Sequence, residues 1–400
     1  MAPKRSKISR DDRISNLPDS LLLLILSLLP FELAVRTSVL SKRWRPLCMS
    51  LRNLRFNDKK VRKTTVQFKS AVESFRGGSY VLPPDVYAYE GFEILRLNSR
   101  ILIDIPNEIS FSRVKVLEFV YVKFSSYESV KDLLLNCPVL EDLVIVKCEA
   151  RGGSCLSICG SALRNLKVKC NELAIGAAKL DIVIDTPGVE TLKIADDTWA
   201  NIFVKDTLLS LRTARIDVGM ERRTFNKSVF RLLDNIYHVK FLTLTDKVVG
   251  VLDECAPDYH LPTFRDLIEL KILVDNWSCW NLLPKMLASS PNLQSLLLPW
   301  GVDLHHTEEE EYNFRYSSPR VVPECLSSHL QTIEMGGFHG TADELSLVEN
   351  FLSKGKVLRE ISLCFLVDCS ESEERSRKSR IRKKLRSFGR SSKTCKIDFY

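Results

Sequence analysis

The sequence predicts an α/β chain in which a small helical module precedes a solenoid of parallel strands, closed by a C-terminal strand-and-helix segment. Three observations carry this. A leucine-dense block, Leu17 to Pro30, lies between two prolines and is apolar on nearly every side. From Phe92 onward the unit apolar-x-x-apolar-x-apolar recurs through the rest of the chain. Near the C-terminus, Arg375 to Lys393 holds ten of the 58 Lys and Arg and no acidic residue, on a helix-period pattern. Without those ten, 48 basic residues face 50 acidic ones, so the net charge of +8 belongs to one segment. Basicity confined in this way argues against a general nucleic-acid-binding chain.

The leucine block is a short buried helix. Asn16 suits the N-cap, Pro18 suits the first helical position where its missing N–H costs nothing, and Pro30 ends the segment. Leu21 to Leu29 is apolar except at Ser27, so the helix needs apolar neighbours on more than one side. It is too short to cross roughly 30 Å of hydrocarbon. Asp11 and Asp12 interrupt the basic region before it, and no small-x-small site follows Pro30, so it does not read as a signal peptide. Phe31 to Leu40 reads as a second helix with Leu33, Val35 and Leu40 inward, and Ser41 caps a third that is anchored by Trp44. Three helices in so few residues make a marginal core, and the surplus leucine face asks for a permanent protein partner.

These residues carry a resemblance. Asp12-Arg13-Ile14-Ser15-Asn16-Leu17-Pro18-Asp19, then Ile25-Leu26-Ser27-x-Leu29-Pro30, then Thr37-Ser38-Val39-Leu40-Ser41-Lys42-Arg43-Trp44 resemble an F-box of the plant type through its whole length. The resemblance implies binding to a Skp-type adaptor, and through it a cullin, with Leu17, Pro18, Leu21, Ile25, Leu28 and Pro30 as contact residues. Leu40 and Trp44 would hold the helices together beneath them.

After a basic arm over 1–10 and the F-box over 11–57, residues 58–90 read as a connecting helix through Val66, Phe68, Val72 and Phe75, then a turn at Gly77-Gly78 and Pro83-Pro84. The repeats occupy 91–316. Their middle residues are Leu95, Leu117, Leu143, Leu166, Leu192, a weaker copy at Ala214, then Leu242, Leu270 and Leu296, at steps of 22 to 28. Strand alternation explains the unit, because two apolar side chains point inward and the residue between them points out. One such strand per repeat cannot bury its face alone, so neighbours must stack. The array resembles an irregular leucine-rich repeat, and Cys137-Pro138-Val139-Leu140-Glu141-Asp142-Leu143 resembles a phrase found in F-box repeat proteins. Cys148 and Cys170 close their strands in a buried structural role. The step to Ile333 is longer, with an insertion around His305-His306 and four glutamates.

Residues 317–400 add a strand at Leu330–Met335, a glycine turn at Gly336-Gly337-x-x-Gly340, a helix from Ala342 to Leu352, a strand at Val357–Phe365 and a helix at Arg375–Phe388. Ile381, Leu385 and Phe388 fall on one face of that last helix, which docks it on the end of the solenoid with its cations outward. The segment resembles the FBD domain of plant F-box/LRR proteins, and the chain as a whole is similar to the plant F-box/FBD/LRR-repeat family.

Catalytic chemistry finds no residues. Cys155-x-x-x-Cys159 lacks a paired C-x-x-C or a histidine partner, the glycine cluster lacks the Lys-Ser/Thr of a phosphate loop, and there is no G-x-S-x-G elbow. The expectation is a non-enzyme with no cofactor and no metal. It would be the substrate receptor of an SCF-type (Skp-cullin-F-box) ubiquitin ligase, its target read by outward strand residues such as Asp142, Lys167, Lys193, Lys271 and Glu334. A non-ligase repeat scaffold and a ligand-gated receptor are the competing readings. No nucleic acid and no membrane is expected as a partner. Twelve cysteines in a chain of this size point to a reducing compartment, cytoplasm or nucleus.

Overall fold

The computed structural model describes residues 14, 16–29, 37, 42–44, 47, 53–57, 80–82, 84–98, 101–106, 108–170, 180–196, 200–218, 227–255, 260–273, 282–299, 321–365 and 371–400. Pro30, Leu40, the expected second helix, the connecting helix and the insertion near His305 lie outside the described residues. The chain divides into two compact units, Met1–Val144 with Cys148–Arg151, and Ile145–Lys147 with Gly152–Tyr400.

In the first unit the leucine block forms the helix Asp19–Leu28. Pro18, not Asn16, occupies its N-cap, with extended ψ and no side-chain cap bond. The ring fixes φ for entry into the helix, and Asp19 supplies the first-turn negative charge that the helix dipole favours. Leu22 and Leu26, four apart on one face, are fully buried against Trp44 and Leu47, with Leu17, Leu23 and Leu29 partly buried around them. Parallel strands follow. Asn53–Asn57 pairs with Ile94–Asn98, which pairs with Val116–Val120. The strand array therefore starts at Asn53, earlier than the apolar template at Phe92 predicts. Next to Val116–Val120, the amides of Glu141 and Asp142 donate to the Lys115 carbonyl at 2.9 Å. The helix Glu128–Leu135 turns Val130, Leu133 and Leu134 into the core.

In the second unit nine parallel strands run in chain order from Asn165–Lys169 to Lys396–Phe399. The template residues form one continuous row of this ladder: Leu166, Leu192, Ala214, Leu242, Leu270, Leu296, Ile333 and Ile361 are successive register partners. Each is at most 1% exposed, and burial of one such leucine stabilises by about 1.5–3 kcal/mol. Ala214 keeps the register with a smaller side chain, which is why its copy of the unit reads weakly.

Two features differ from the one-strand-per-repeat expectation. The first unit contains a second sheet of very short parallel strands, Tyr80–Val81, Ile101–Ile103, Lys123–Phe124 and Glu149–Ala150. The second unit contains another, Cys155–Cys159, Asp181–Asp185 and Asn201–Val204, also parallel. Cys155–Cys159 and Asp181–Asp185 alternate buried and half-buried residues and Ile101–Ile103 is buried throughout, but these segments lack the leucine spacing that marks the main row. The glycines at 336–337 are not in a turn. They lie inside the strand Thr332–Phe338, where the register shifts between Met335 and Phe338 and Gly337 takes a φ of 59°. A local bulge of that kind needs a residue tolerant of positive φ.

Candidate functional site

The surface of interest in the first unit is the helix Asp19–Leu28. Its inward face is spent on Leu22 and Leu26, which leaves Leu21, Leu24, Ile25 and Leu28 exposed at i, i+3, i+4 and i+7. Leu28 is 78% exposed. Four large aliphatic side chains in one solvent-facing stripe on a ten-residue helix cost hydration free energy with no return among the described residues. Of the six residues expected to contact an adaptor, Leu21, Ile25 and Leu28 lie in this stripe and Pro18 is exposed at its start. Leu17 is half-buried against the inner cluster, and Pro30 lies outside the described residues. Leu24 was not singled out by sequence, although its position three after Leu21 and four before Leu28 puts it on the same face.

Trp44 is buried beneath the helix, at 3% exposure. The preceding Arg43 was not anticipated as a functional position. Its guanidinium donates to Asp19 Oδ1 and to the Leu17 carbonyl, tying the third helical segment to the start of the leucine helix.

The second candidate surface is the outward face of the long parallel sheet of the second unit. Lys167, Lys193, Lys271 and Glu334 are mid-strand residues there, in the burial pattern that alternates with the leucine row. The register chain joins Lys167 to Lys193, Arg215, Thr243, Lys271, Leu297, Glu334, Ser362 and Asp398 in a single row. Arg215 completes this row and was missed, because the Leu211/Ala214/Ile216 copy is too weak to rank its central residue. Asp142 is not part of it. It opens its own strand in the first unit, two residues before the equivalent position.

No group of three or more His, Cys, Asp or Glu among the described residues could hold a metal ion. Described cysteines are free thiols. Cys137 and Cys325 are buried, each with its sulfur against a backbone carbonyl, and burial pushes both thiols up to about 12. That places them far from the depressed range of a reactive thiolate. Cys170 is buried as expected, whereas Cys148 is only half-buried, its thiol donating to the Phe119 carbonyl at 3.3 Å. Among the described residues no helix is long and apolar enough to cross a membrane.

The closing helix spans Glu371–Ser387. Ile381 and Leu385 are buried and Phe388 half-buried, following the expected stripe. Its cations are not all outward. Lys378 sits over the Phe365 ring at 5.2 Å and Arg382 over the Phe399 ring at 4.9 Å, so two of them join the packing as cation–π contacts.

The described residues thus offer two surfaces, the exposed apolar face of the leucine helix and the outward face of the long parallel sheet. Comparison with known proteins shows what the chain is similar to. A family model of the F-box domain matches residues 14–56, and one of the FBD domain matches residues 318–363. A probable FBD-associated F-box protein of Arabidopsis thaliana is 28% identical over 97% of this chain and 100% of its own length. A putative F-box/FBD/LRR-repeat protein of the same plant is 28% identical over 96% of each chain, and another F-box/FBD/LRR-repeat protein is 28% identical over 88% of each. Over nearly its whole length the chain is similar to F-box/FBD/LRR-repeat and FBD-associated F-box proteins of that plant.

Proposed function

We propose that this chain is the substrate-recognition subunit of an SCF-type ubiquitin ligase. The observation that carries the reading is the exposed stripe Leu21, Leu24, Ile25 and Leu28 above a closed inner cluster of Leu22, Leu26, Trp44 and Leu47. A Skp-type adaptor covering that stripe, with Pro18, Leu17 and Pro30 at its ends, would remove the exposed aliphatic surface from water. The adaptor brings the cullin. The chain itself performs no chemistry: it holds a target near the conjugating enzyme, and catalysis is by proximity supplied in trans. The target would be read by the outward face of the repeat sheet, where Lys167, Lys193, Lys271 and Glu334 stand, with Asp142 on the strand face of the first unit. The FBD segment would continue the repeats and cap them.

The test is capture of purified Skp-type adaptor by the full chain. Leu21→Asp with Leu28→Asp should abolish capture while leaving the circular dichroism spectrum unchanged, since both side chains already face solvent. Failure of the folded wild-type chain to bind any Skp-type adaptor would favour the non-ligase scaffold instead.

A further inference from the structure

Each of the nine strands of the long sheet in the second unit contributes one residue to the row that runs Lys167, Lys193, Arg215, Thr243, Lys271, Leu297, Glu334, Ser362, Asp398. Its first five positions carry four cations and no acid. Neighbouring strands are ~4.8 Å apart, so these five positions span roughly 19 Å. None of the four side chains has an ion pair or hydrogen bond among the described residues. The same face adds Lys169, two residues beyond Lys167 on its strand. Against these five cations stand Asp217 and Glu269, and Asp217 is engaged by the Thr245 hydroxyl at 2.9 Å. At the one uncharged position, Thr243, the same strand and face presents Phe241, a phenyl ring 41% exposed. Beyond Lys271 the row turns apolar at Leu297 and then acidic at Glu334 and Asp398. The positive strip is thus bounded at that end.

Like charges in adjacent register repel, and Asp217 and Glu269, two carboxylates against five cations, offset them only in part. A row of this kind is complementary to an anionic ligand that crosses the strands. We propose that it docks an acidic, extended segment of a target protein, about six residues at ~3.3 Å each, with an apolar side chain near the middle that packs on Phe241. The proposal rests on the reading above in which this sheet faces the target.

The experiment uses the full chain and a fluorescein-labelled peptide of alternating Asp and Glu around a central Leu, followed by fluorescence anisotropy at low salt. The peptide should bind, and its Asn/Gln analogue should not. Lys193→Glu with Arg215→Glu should weaken binding about tenfold or more, the corresponding Gln pair should weaken it less, and Lys383→Glu with Arg386→Glu on the closing helix should change it by about twofold at most. Phe241→Ala should weaken the Leu peptide and not a version with central Ser. Equal binding by the row variants and wild type would overturn the proposal, as would loss of binding by the closing-helix variant alone. Preferential binding of a single-stranded oligonucleotide at the same row would overturn it in favour of nucleic acid. Near-ultraviolet circular dichroism on each variant separates misfolding from lost contact, and the Gln pair guards against it. Adaptor capture on the same preparations separates the two readings: loss of the peptide with adaptor retained strikes the row alone.

Discussion

Arg43 reaches back to Asp19: its Nε donates to the Asp19 Oδ1 at 2.9 Å, while the same guanidinium donates to the Leu17 carbonyl at 2.7 Å. Both side chains are substantially exposed, at 40% and 62%, so the charge pair itself contributes little. The bond to Leu17 fixes the chain just before the leucine helix and so aims that helix over Trp44. Asp19→Asn should cost at most ~0.5 kcal/mol and Arg43→Ala about 1 kcal/mol, the difference being the lost donor to Leu17. Chemical denaturation followed by hydrogen exchange of residues 17–29 reads both, and raised salt should narrow only the first.

Leu26 and Leu24 are two residues apart and have opposite fates. Leu26→Ala empties a fully buried site and should destabilise the N-terminal module by about 2–5 kcal/mol, whereas Leu24→Ala should stay within ~0.5 kcal/mol. Limited proteolysis of the full chain should cut the module in the first variant alone. Adaptor capture should weaken in both, for different reasons.

Gly340 has a φ of 76°, and a Cβ built there would collide with the Ile381 Cδ1. Gly340→Ala therefore combines left-handed strain with a clash against the buried stripe of the closing helix and should cost about 2 kcal/mol. Gly389→Ala, which meets nothing within 4 Å, is the control and should be neutral in thermal melts.

Thr341 caps the helix Ala342–Lys354 by a reciprocal arrangement. Its hydroxyl accepts from the Glu344 amide, and the Glu344 carboxylate accepts from the Thr341 amide at 2.7 Å and from the His339 amide at 3.1 Å. Thr341→Ala should lose about 1 kcal/mol and Thr341→Ser almost none. Burial raises the Glu344 carboxyl above its ordinary value despite those donors, so its contribution is full at low pH and erodes as pH rises through the raised value.

Cys137 and Cys325 predict an alkaline weakness. Burial holds each thiol protonated up to about 12 in the folded chain, well above the ordinary value of about 8.5. Above that ordinary value the unfolded chain binds fewer protons than the folded one, so stability is full below it and falls as pH climbs toward the raised values. Melting temperature should decline between about pH 9 and 11, and Cys137→Ser with Cys325→Ser should flatten that slope. At neutral pH a thiol reagent should label Cys364, which is exposed, and spare Cys137 and Cys325.

The FBD and F-box segments were legible because each is written in short phrases whose residue types are forced locally: a proline before a helix, a tryptophan beneath it, a glycine where φ is positive. The leucine row was legible for a related reason. Each strand buries the same two positions, so the spacing survives every insertion, and even Ala214 keeps its place at 0% exposure. The sequence by itself thus determined the leucine helix, the buried leucine row and the closing helix. Only the tertiary structure decided what points where. Which leucines of an all-apolar helix face Trp44 depends on where the third helical segment lands, and that is set by Arg43 and Trp44, more than twenty residues from Asp19. Short second strands such as Cys155–Cys159 and Asp181–Asp185 alternate but lack the leucine spacing of the main row, so the repeat pattern does not mark them. The basic row exists only through register, which aligns Lys167, Lys193, Arg215 and Lys271 although they are scattered over a hundred residues. Local chemistry fixes what an element is; pairing over long separations fixes which of its faces remains for a partner.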